Sequence, residues 1–334
     1  MIRLRIRPVK AIAITANKRV ELLDRPEHTG PLGSSEVAGP TLVSLVSPGT
    51  EIHANFLGSR FPSYPGYACV FQIEDAGSDV TDLQRGDMAF SMGEHGSVQR
   101  EQRQRVLPVP PGLVPEEAVF ARLIGVGMTT LNTTNVRPPA HILVTGLGPV
   151  GNLAAQVFAL CGYQVTAVDP VEARREAAAE AGIQDVRSAV DAPPNDLKGR
   201  IALHLECSGH EQAALDGCRT VCRHGEVVLV GLAWKRRTEC YAAELLAAVF
   251  RNFAVLRSGW EWELPVLPER SSRHSMFGNY RIALDWLAER KIRVDHLAAL
   301  YQPEQAQQVY EGLLNQTLPK PTALFDWQGS REFK

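Results

Sequence analysis

The chain has 334 residues, which corresponds to about two domains of roughly 150 residues each. Its 45% hydrophobic and 22% charged residues are typical of a folded globular protein and argue against bulk disorder. The 35 Lys and Arg residues balance 37 Asp and Glu residues, and the resulting net charge of −2 argues against a dedicated nucleic-acid or membrane-surface binder.

The N-terminal segment MIRLRIRPVKAIAIT alternates basic residues with Ile and Leu. It lacks the long apolar stretch of a signal peptide, and its pattern predicts a β-strand. No apolar stretch of the sequence reaches the roughly 20 residues of a membrane-spanning helix. The six cysteines show no C-x-x-C spacing, so we interpret them as free thiols of a cytoplasmic protein.

Residues 1–110 predict an irregular β domain, because short β-branched segments alternate with Gly and Pro. The proline-rich segment 106–118 predicts a linker and the start of a helix. From residue 119 onward, apolar strand segments alternate with helical ones, which predicts a parallel sheet with helices on both faces. The predicted strands of this second region are 141–145, 164–169, 201–207, 226–232 and 253–259.

An aromatic and proline-rich stretch follows Gly259. Two amphipathic helices are then predicted near 278–290 and 303–315. The final apolar segment ALFDWQ (323–328) predicts a strand that returns to the first domain.

A glycine-rich turn stands between the first strand of the parallel sheet and the helix after it. The segment GLGPVG has the G-x-G-x-x-G spacing of a dinucleotide-binding loop, in the strand–turn–helix context that the motif requires. A helix N-terminus at this point offers free N–H groups and a favourable dipole to a pyrophosphate. A structural turn of another α/β fold is the alternative. The predicted cofactor-binding residues of this loop are Gly146, Gly148, Pro149, Val150 and Gly151.

An acidic residue, Asp169, ends the next predicted strand, 23 residues after Gly146. A carboxylate at this point can accept hydrogen bonds from both ribose hydroxyls and repels a 2′-phosphate, which favours NAD over NADP. Arg174 and Arg175 complicate this preference, although Arg174 can instead stack on the adenine. Alternatively, Asp169 is only the N-terminal cap of a helix.

Short stretches outside the glycine-rich loop carry a resemblance to a known family. They are SPGTEIH (47–53), YPGY (64–67), GSDV (77–80), RGD (85–87), ECSG (206–209), VGL (230–232) and WLAERKIRVDHL (286–297). With them the chain resembles the medium-chain dehydrogenase/reductase superfamily over nearly its whole length, and is most similar to the zinc-type alcohol, polyol and sugar dehydrogenases. The resemblance implies a GroES-like irregular β-barrel catalytic domain (1–118 and 262–334) and a Rossmann doubly wound α/β domain (119–261). It also implies a homodimer or homotetramer formed through the edge of the sheet. It adds Cys207, Ser208, Gly231 and Leu232 to the predicted cofactor-binding residues.

The zinc ligands of that family are missing from this chain. The resemblance places them at Pro48, at Tyr67 and Ala68, and near Arg122, and none of these side chains is a normal zinc ligand. No cysteine lies between positions 69 and 161, so the cysteine-rich structural zinc lobe is missing as well. We therefore predict an enzyme without a metal.

Without zinc, the substrate oxygen still needs a group that gives or takes a proton. The candidate catalytic residues are Thr50, Glu51, His53, Tyr67 and Arg122. The resemblance places the Thr50–His53 pair at the family's proton relay, and Tyr67 where a zinc ligand stands. Arg122 can assist by stabilising an oxyanion or a neighbouring phenolate. The alternatives are that Tyr67 packs structurally, that His53 is a solvated loop residue and that Glu51 is a structural partner of a nearby cation.

Two further positions have open interpretations. His95 is a candidate substrate contact. The aromatic residues Trp260 and Trp262, with Glu261 between them, suit a sugar face but equally suit a dimer interface or a domain seam.

The resemblance implies an NAD-dependent dehydrogenase that acts on a secondary alcohol of a polyol, cyclitol or glycoside, a small-molecule substrate. One alternative is a zinc-free enone or quinone reductase that uses NADPH, and Asp169 argues against it. The other is a lapsed dehydrogenase retained as a nucleotide-binding protein.

Overall fold

The computed structural model describes residues 9–26, 30–191 and 196–329. The chain divides into two compact units, one formed by residues 1–122 and 297–334 and the other by residues 123–296. The part of the predicted N-terminal strand before Val9 lies outside the described residues, and the part after it is confirmed as a strand.

The first unit is a mainly antiparallel β domain. Strands β1 and β2 form a separate hairpin, and the remaining strands form a sheet in the order β15-β16-β3-β4-β6-β8, with β5 and β7 also paired to β3. The predicted strand near the C-terminus is confirmed, because it pairs antiparallel with β3. Numbered along the whole chain, the strands of this unit are β1 (Val9–Ala16), β2 (Arg19–Arg25), β3 (Glu36–Leu45), β4 (Ala68–Gln72), β5 (Asp75–Ala76), β6 (Met88–Ser91), β7 (Val98–Gln102), β8 (Leu107–Pro108), β15 (Ala298–Tyr301) and β16 (Thr322–Asp326).

Short helices connect these strands. The first helix is continued by a helical turn, Glu51–Phe56, that is wound more widely than an α-helix. Phe56 packs with Ile12, Tyr310 and Phe325 in a buried apolar cluster, which holds this turn against the strands. The helices of the unit are α1 (Pro48–Thr50), α2 (Pro115–Ala118) and α9 (Ala306–Asn315).

The second unit is built on a six-stranded parallel sheet with the order β11-β10-β9-β12-β13-β14. This is the strand order 3-2-1-4-5-6 of a doubly wound nucleotide-binding sheet, and it confirms the predicted fold class. Strand β14 lies at one edge of this sheet. The strands are β9 (His141–Thr145), β10 (Gln164–Val168), β11 (Asp185–Arg187), β12 (Ile201–Glu206), β13 (Val221–Leu229) and β14 (Val255–Ser258).

A helix follows each strand of this sheet except β11, after which the structure describes no helix before β12. The chain passes from one unit to the other within α3, just after Arg122. Among the described residues, no helix is both long and apolar enough to cross a membrane. The helices are α3 (Ala121–Thr133), α4 (Pro149–Leu160), α5 (Glu172–Glu180), α6 (Glu211–Thr220), α7 (Ala242–Asn252) and α8 (Met276–Ala288).

This division differs from the predicted one, chiefly at its second boundary. We predicted that the second domain would end at residue 261, whereas the compact unit extends to residue 296. Gly125 of α3 lies so close to α8 that an added Cβ would be 2.5 Å from the Tyr280 ring. The Gln156 amide of α4 bonds both to the Arg293 N–H, at 2.8 Å, and to the Arg293 carbonyl, at 3.0 Å. These contacts tie residues 262–296 to the helices of the parallel sheet.

Candidate functional site

The glycine-rich turn joins β9 to α4. Gly146 has φ +83°, a left-handed conformation that favours glycine, and an added Cβ would lie 2.6 Å from the backbone nitrogen of Ser208. Its own N–H donates to the carbonyl of Val168 at 2.8 Å. The turn therefore needs a glycine at its first position for both conformation and space.

The two other glycines of the loop have different surroundings. A Cβ at Gly151 would lie 1.8 Å from the Gly146 carbonyl oxygen, so the first turn of α4 packs directly on the loop. Gly148 precedes the helix, with Pro149 as the first helical residue and Val150 as the second, and no atom lies within 4 Å of its Cβ position. The backbone of Gly148 is therefore open to a ligand at the N-terminus of α4.

Asp169 lies directly after β10, and its side chain is only 1% exposed. Its Oδ2 accepts the N–H of Leu147 at 2.7 Å, and its Oδ1 accepts the N–H of Val171 at 2.8 Å. Arg174 reaches Oδ2 at 3.4 Å, and Arg175 donates to the Asp169 carbonyl at 2.9 Å. The carboxylate thus supports the glycine-rich loop and places a negative charge beside it. Asp169 is not the N-terminal cap of α5, because Val171 occupies that position.

Two more predicted cofactor segments lie at the carboxyl ends of β12 and β13. Gly231 approaches the other segment so closely that a Cβ there would be 2.4 Å from the Gly209 nitrogen. Leu232 is 61% exposed. Cys207 is half-buried, and desolvation raises the pKa of its thiol well above the ordinary value. Its thiol is therefore not a nucleophile, and a role at the cofactor would depend on shape alone.

Our sequence analysis gave Glu206 no role of its own. Its Oε1 accepts the N–H of Ser208 at 2.7 Å, and its Oε2 accepts the N–H of Gly209 at 3.0 Å. Burial raises the pKa of this carboxyl group, and the Ser208 hydroxyl also donates to it. Glu206 thus shapes the 206–209 loop. The signal that could have revealed it is an acidic residue that ends a strand two residues before a Ser-Gly pair.

In the first unit, the structure brings Tyr67 and Arg122 together. The guanidinium carbon of Arg122 lies 3.7 Å from the centroid of the Tyr67 ring, and Nη1 donates to the Tyr67 carbonyl oxygen. Arg122 is 6% exposed, whereas Tyr67 is half-buried. The cation is held on the aromatic face by a cation–π contact, which fixes the orientation of the ring.

Thr50 and His53 lie three residues apart at the end of α1 and in the helical turn after it. Thr50 is exposed and His53 is half-buried. A polar group needs such access to exchange a proton with a substrate, so both residues keep their candidate roles as predictions.

Glu51 lies between them but is only 2% exposed. Its carboxylate accepts hydrogen bonds from Ser47, His95 and Tyr310 within the core of the unit. A base must reach the proton that it removes, so this geometry favours the structural alternative for Glu51.

The prediction that His95 contacts the substrate does not fit its position. His95 is fully buried, and its backbone bonds to Ile12 and Pro65 draw the loop after β6 into the core. Its ring packs edge-on against Phe325 with centroids 5.1 Å apart. A solvated ligand cannot reach a side chain that is enclosed in this way.

The aromatic pair after β14 is solvent-exposed, with Trp260 68% and Trp262 49% accessible. Glu261 is buried instead, and the Tyr280 hydroxyl donates to its Oε2 at 3.1 Å. The carboxylate is therefore held among protein groups, whereas the two indoles are not.

The residues at the inferred zinc positions do not fit that metal. Pro48 and Ala68 have no ligand atom, and Arg122 carries a permanent positive charge against Tyr67. Across the part of the chain that the structure describes, no three His, Cys, Asp or Glu side chains are grouped as a metal site.

Comparisons with known proteins agree with this architecture. The family described as zinc-binding dehydrogenase matches residues 149–262. The L-idonate 5-dehydrogenase of Vitis vinifera is 24% identical over 241 residues, which cover 57% of this chain and 65% of that protein. The D-guloside 3-dehydrogenase of Shigella flexneri is 26% identical over 178 residues, which cover 50% and 51% respectively. The aligned segments thus span less than two thirds of either relative.

Similarity in structure extends over nearly the whole chain. The L-idonate 5-dehydrogenase of Escherichia coli str. K-12 substr. MG1655 superposes with a TM-score of 0.79 at 14% identity. The superposition covers 96% of this chain and 98% of that protein. At this level of identity the similarity concerns the fold.

Proposed function

Because this chain belongs to the medium-chain dehydrogenase/reductase superfamily, we propose that it is an NAD-dependent oxidoreductase that works without zinc. Its substrate is a secondary alcohol, or the corresponding ketone, of a polyol, cyclitol or glycoside. The names of the relatives support this class, since idonate is a sugar acid and a guloside is a glycoside. Fold similarity alone would not select a substrate.

The nucleotide is bound by the loop of the second unit. NAD supplies the hydride acceptor and, in the reverse direction, the hydride donor. The open backbone at Gly148 and the N-terminus of α4 receive the pyrophosphate, and the Asp169 carboxylate receives the ribose hydroxyls. The negative charge of Asp169 favours NAD over NADP, although Arg174 at 3.4 Å offsets part of it.

The proton is handled by residues of the first unit. The Tyr67 hydroxyl, or the Thr50–His53 pair, gives a proton to the substrate oxygen or takes one from it. Arg122 keeps the Tyr67 ring in place and provides a permanent positive charge near it. Such a charge stabilises an anionic substrate oxygen, which is the role that a zinc ion would otherwise have.

One observation carries the metal-independent part of the proposal. The guanidinium of Arg122 lies on Tyr67, at two positions where the resemblance places metal ligands. A divalent cation would meet a buried, permanently charged group there, at an electrostatic cost that increases in a low dielectric.

Assembly and location complete the proposal. We infer a homodimer or homotetramer, because β14 is an edge strand and the neighbouring helix α7 exposes Leu246 to 66% and Phe250 to 82%. A cytoplasmic location is consistent with six free cysteines.

The test is NADH formation by chelator-treated protein with a panel of polyols, cyclitols and glycosides, run in parallel with NADP. We expect turnover with NAD that survives the chelator and is weaker with NADP. Turnover that disappears with the chelator and returns with zinc would contradict the metal-free mechanism. Reduction of enones or quinones with NADPH alone would establish the reductase alternative. NAD binding without any turnover would establish the nucleotide-binding alternative.

A further inference from the structure

A buried carboxylate lies at the centre of the first unit. Glu51 is 2% exposed, and its Oε2 accepts the Tyr310 hydroxyl at 2.5 Å and the His95 Nε2 at 3.0 Å. Its Oε1 accepts the N–H of Ser47 at 2.7 Å, and its own N–H donates to the Ser47 carbonyl at 2.9 Å. Burying a charge is costly unless hydrogen bonds replace its water, and here they do.

The hydrogen bonds continue beyond His95. Its Nδ1 lies 2.8 Å from the Ser44 hydroxyl, and that hydroxyl oxygen lies 2.8 Å from Nε1 of Trp327. An indole N–H can only donate, so the Ser44 hydroxyl oxygen accepts from Trp327. A carboxylate oxygen can only accept, so His95 donates from Nε2 to Glu51, and the Ser44 hydroxyl donates to the neutral Nδ1 of His95. This arrangement gives every donor of the chain an acceptor.

Tyr310 contacts both ends of the helical turn Glu51–Phe56. Its hydroxyl reaches Glu51, and its ring lies 5.6 Å from the ring of Phe56. Burial and the Glu51 carboxylate raise the pKa of Tyr310 well above its ordinary value, so the hydroxyl remains a donor at all working pH values. The turn is therefore fixed from inside the core at its first and its last residue.

The residues fixed in this way are neighbours of the proton-handling pair. Thr50 directly precedes Glu51, and His53 follows it by two positions. We propose that Tyr310, Glu51 and His95 are positioning residues that orient Thr50 and His53 for proton transfer, an inference that rests on the proposed function. Residues 51, 95 and 310 are distant in sequence, and nothing in their spacing reveals the link.

The test compares two buried tyrosine hydroxyls. Tyr310→Phe removes the hydroxyl and keeps the ring against Phe56. The control, Tyr163→Phe, removes a hydroxyl that donates to the Val136 carbonyl at 2.9 Å in the second unit. We expect Tyr310→Phe to lower kcat about 10- to 100-fold, because a misplaced catalytic group loses most of its effect. We expect KM to change less than about twofold, since substrate binding is not altered. The control should leave both constants unchanged.

A second measurement does not require turnover. The imidazole signals of His53 in the NMR spectrum, identified by their loss in His53→Gln, report the surroundings of that side chain. We expect these signals to move in Tyr310→Phe and to stay in place in Tyr163→Phe. If Tyr310→Phe fails to fold, Trp327→Phe replaces it in the test. This variant breaks the same series of hydrogen bonds at its other end, by removing the indole N–H that donates to Ser44.

The outcomes separate the two proposals. Unchanged kcat and unchanged His53 signals in Tyr310→Phe would overturn the positioning role, as would equal effects of the two tyrosine variants. If the wild-type protein shows no turnover on any substrate, the proposed function fails. The His53 signals alone then test the positioning role. Movement in Tyr310→Phe but not in Tyr163→Phe would support that role, and no movement in Tyr310→Phe would overturn it.

Discussion

The nucleotide-binding loop of the second unit and the polar site of the first unit are built in different ways. The loop consists of six consecutive residues, and backbone geometry defines it, from φ +83° at Gly146 to the contact between Gly151 and the Gly146 carbonyl. The first unit instead joins side chains from distant positions, with Tyr67 and Arg122 55 residues apart and Glu51 and Tyr310 259 apart. A backbone site is sensitive to any added Cβ, whereas a side-chain site is sensitive to single functional groups.

The largest effect is expected from one oxygen atom in the first unit. Tyr67→Phe keeps the ring under Arg122 but removes the hydroxyl. If that hydroxyl transfers the proton, kcat falls by about 10²- to 10⁴-fold, the usual contribution of a general acid or base. NAD binding should not change, because the substitution leaves the glycine-rich loop and Asp169 intact. Steady-state kinetics and calorimetric titration with NAD measure the two quantities.

A matched control lies in the same unit. Arg25 covers the ring of Tyr64 at 4.0 Å, an arrangement like that of Arg122 over Tyr67. Tyr64→Phe should leave turnover unchanged. Unchanged turnover in Tyr67→Phe would instead assign the proton to Thr50 and His53.

The second prediction addresses the backbone site. Gly151→Ala places a Cβ 1.8 Å from a carbonyl oxygen, so we expect a loss of about 1–3 kcal/mol in the free energy of unfolding and a loss of NAD binding. Gly148→Ala has open space and an ordinary φ of −62°, so its stability should remain that of the wild type. Its methyl group would meet the pyrophosphate, and NAD binding alone should weaken. Denaturant unfolding without NAD distinguishes the two variants, and equal stability losses would refute the assignment of roles.

This difference in construction explains what the sequence could predict. The strand–turn–helix pattern around residues 146–151 and the acidic residue directly after β10 are local signals, so the loop and five strands of the doubly wound sheet could be predicted. The short strand β11 (Asp185–Arg187) was not predicted. The strand near the C-terminus could also be predicted from the sequence, because ALFDWQ is an apolar segment. Pairing partners were not needed for any of these predictions.

The remainder depends on long-range packing. The domain boundary was placed too early because α8 packs on α3 through Gly125, a contact between segments 155 residues apart in sequence. His95 was left open as a candidate substrate contact, because a polar residue in a loop has no local sign of burial. Only the fold shows that Ser44 and Glu51 lie within hydrogen-bond distance of its ring.

The smallest predicted effect concerns a side chain that lies inside the second unit and that no motif marks. His204 on β12 is fully buried, bonds to the Thr145 hydroxyl at 2.8 Å and lies against Gly217, where a Cβ would be 1.8 Å from its Nδ1. Burial lowers its pKa from 6.5 to about 3. Between these two values the unfolded chain binds a proton that the folded chain does not, so stability decreases as the pH falls below 6.5.

The expected size is about 2 kcal/mol between pH 7 and pH 5, at roughly 1.4 kcal/mol for each pH unit below the unfolded pKa. Urea unfolding of the wild type and of His204→Gln at both pH values measures this loss of stability. Only the wild type has the His204 imidazole, which takes up a proton when the chain unfolds. His141→Gln is the control: His141 is half-buried on β9, its pKa is lowered in the same direction by weaker burial, and its removal should change the pH dependence less. An equal loss of stability in the wild type and in His204→Gln would mean that His204 accepts a proton in the folded protein. The comparison between the two units would then be incomplete, because the second unit would contain a side chain that binds a proton in the folded protein as well as its backbone loop.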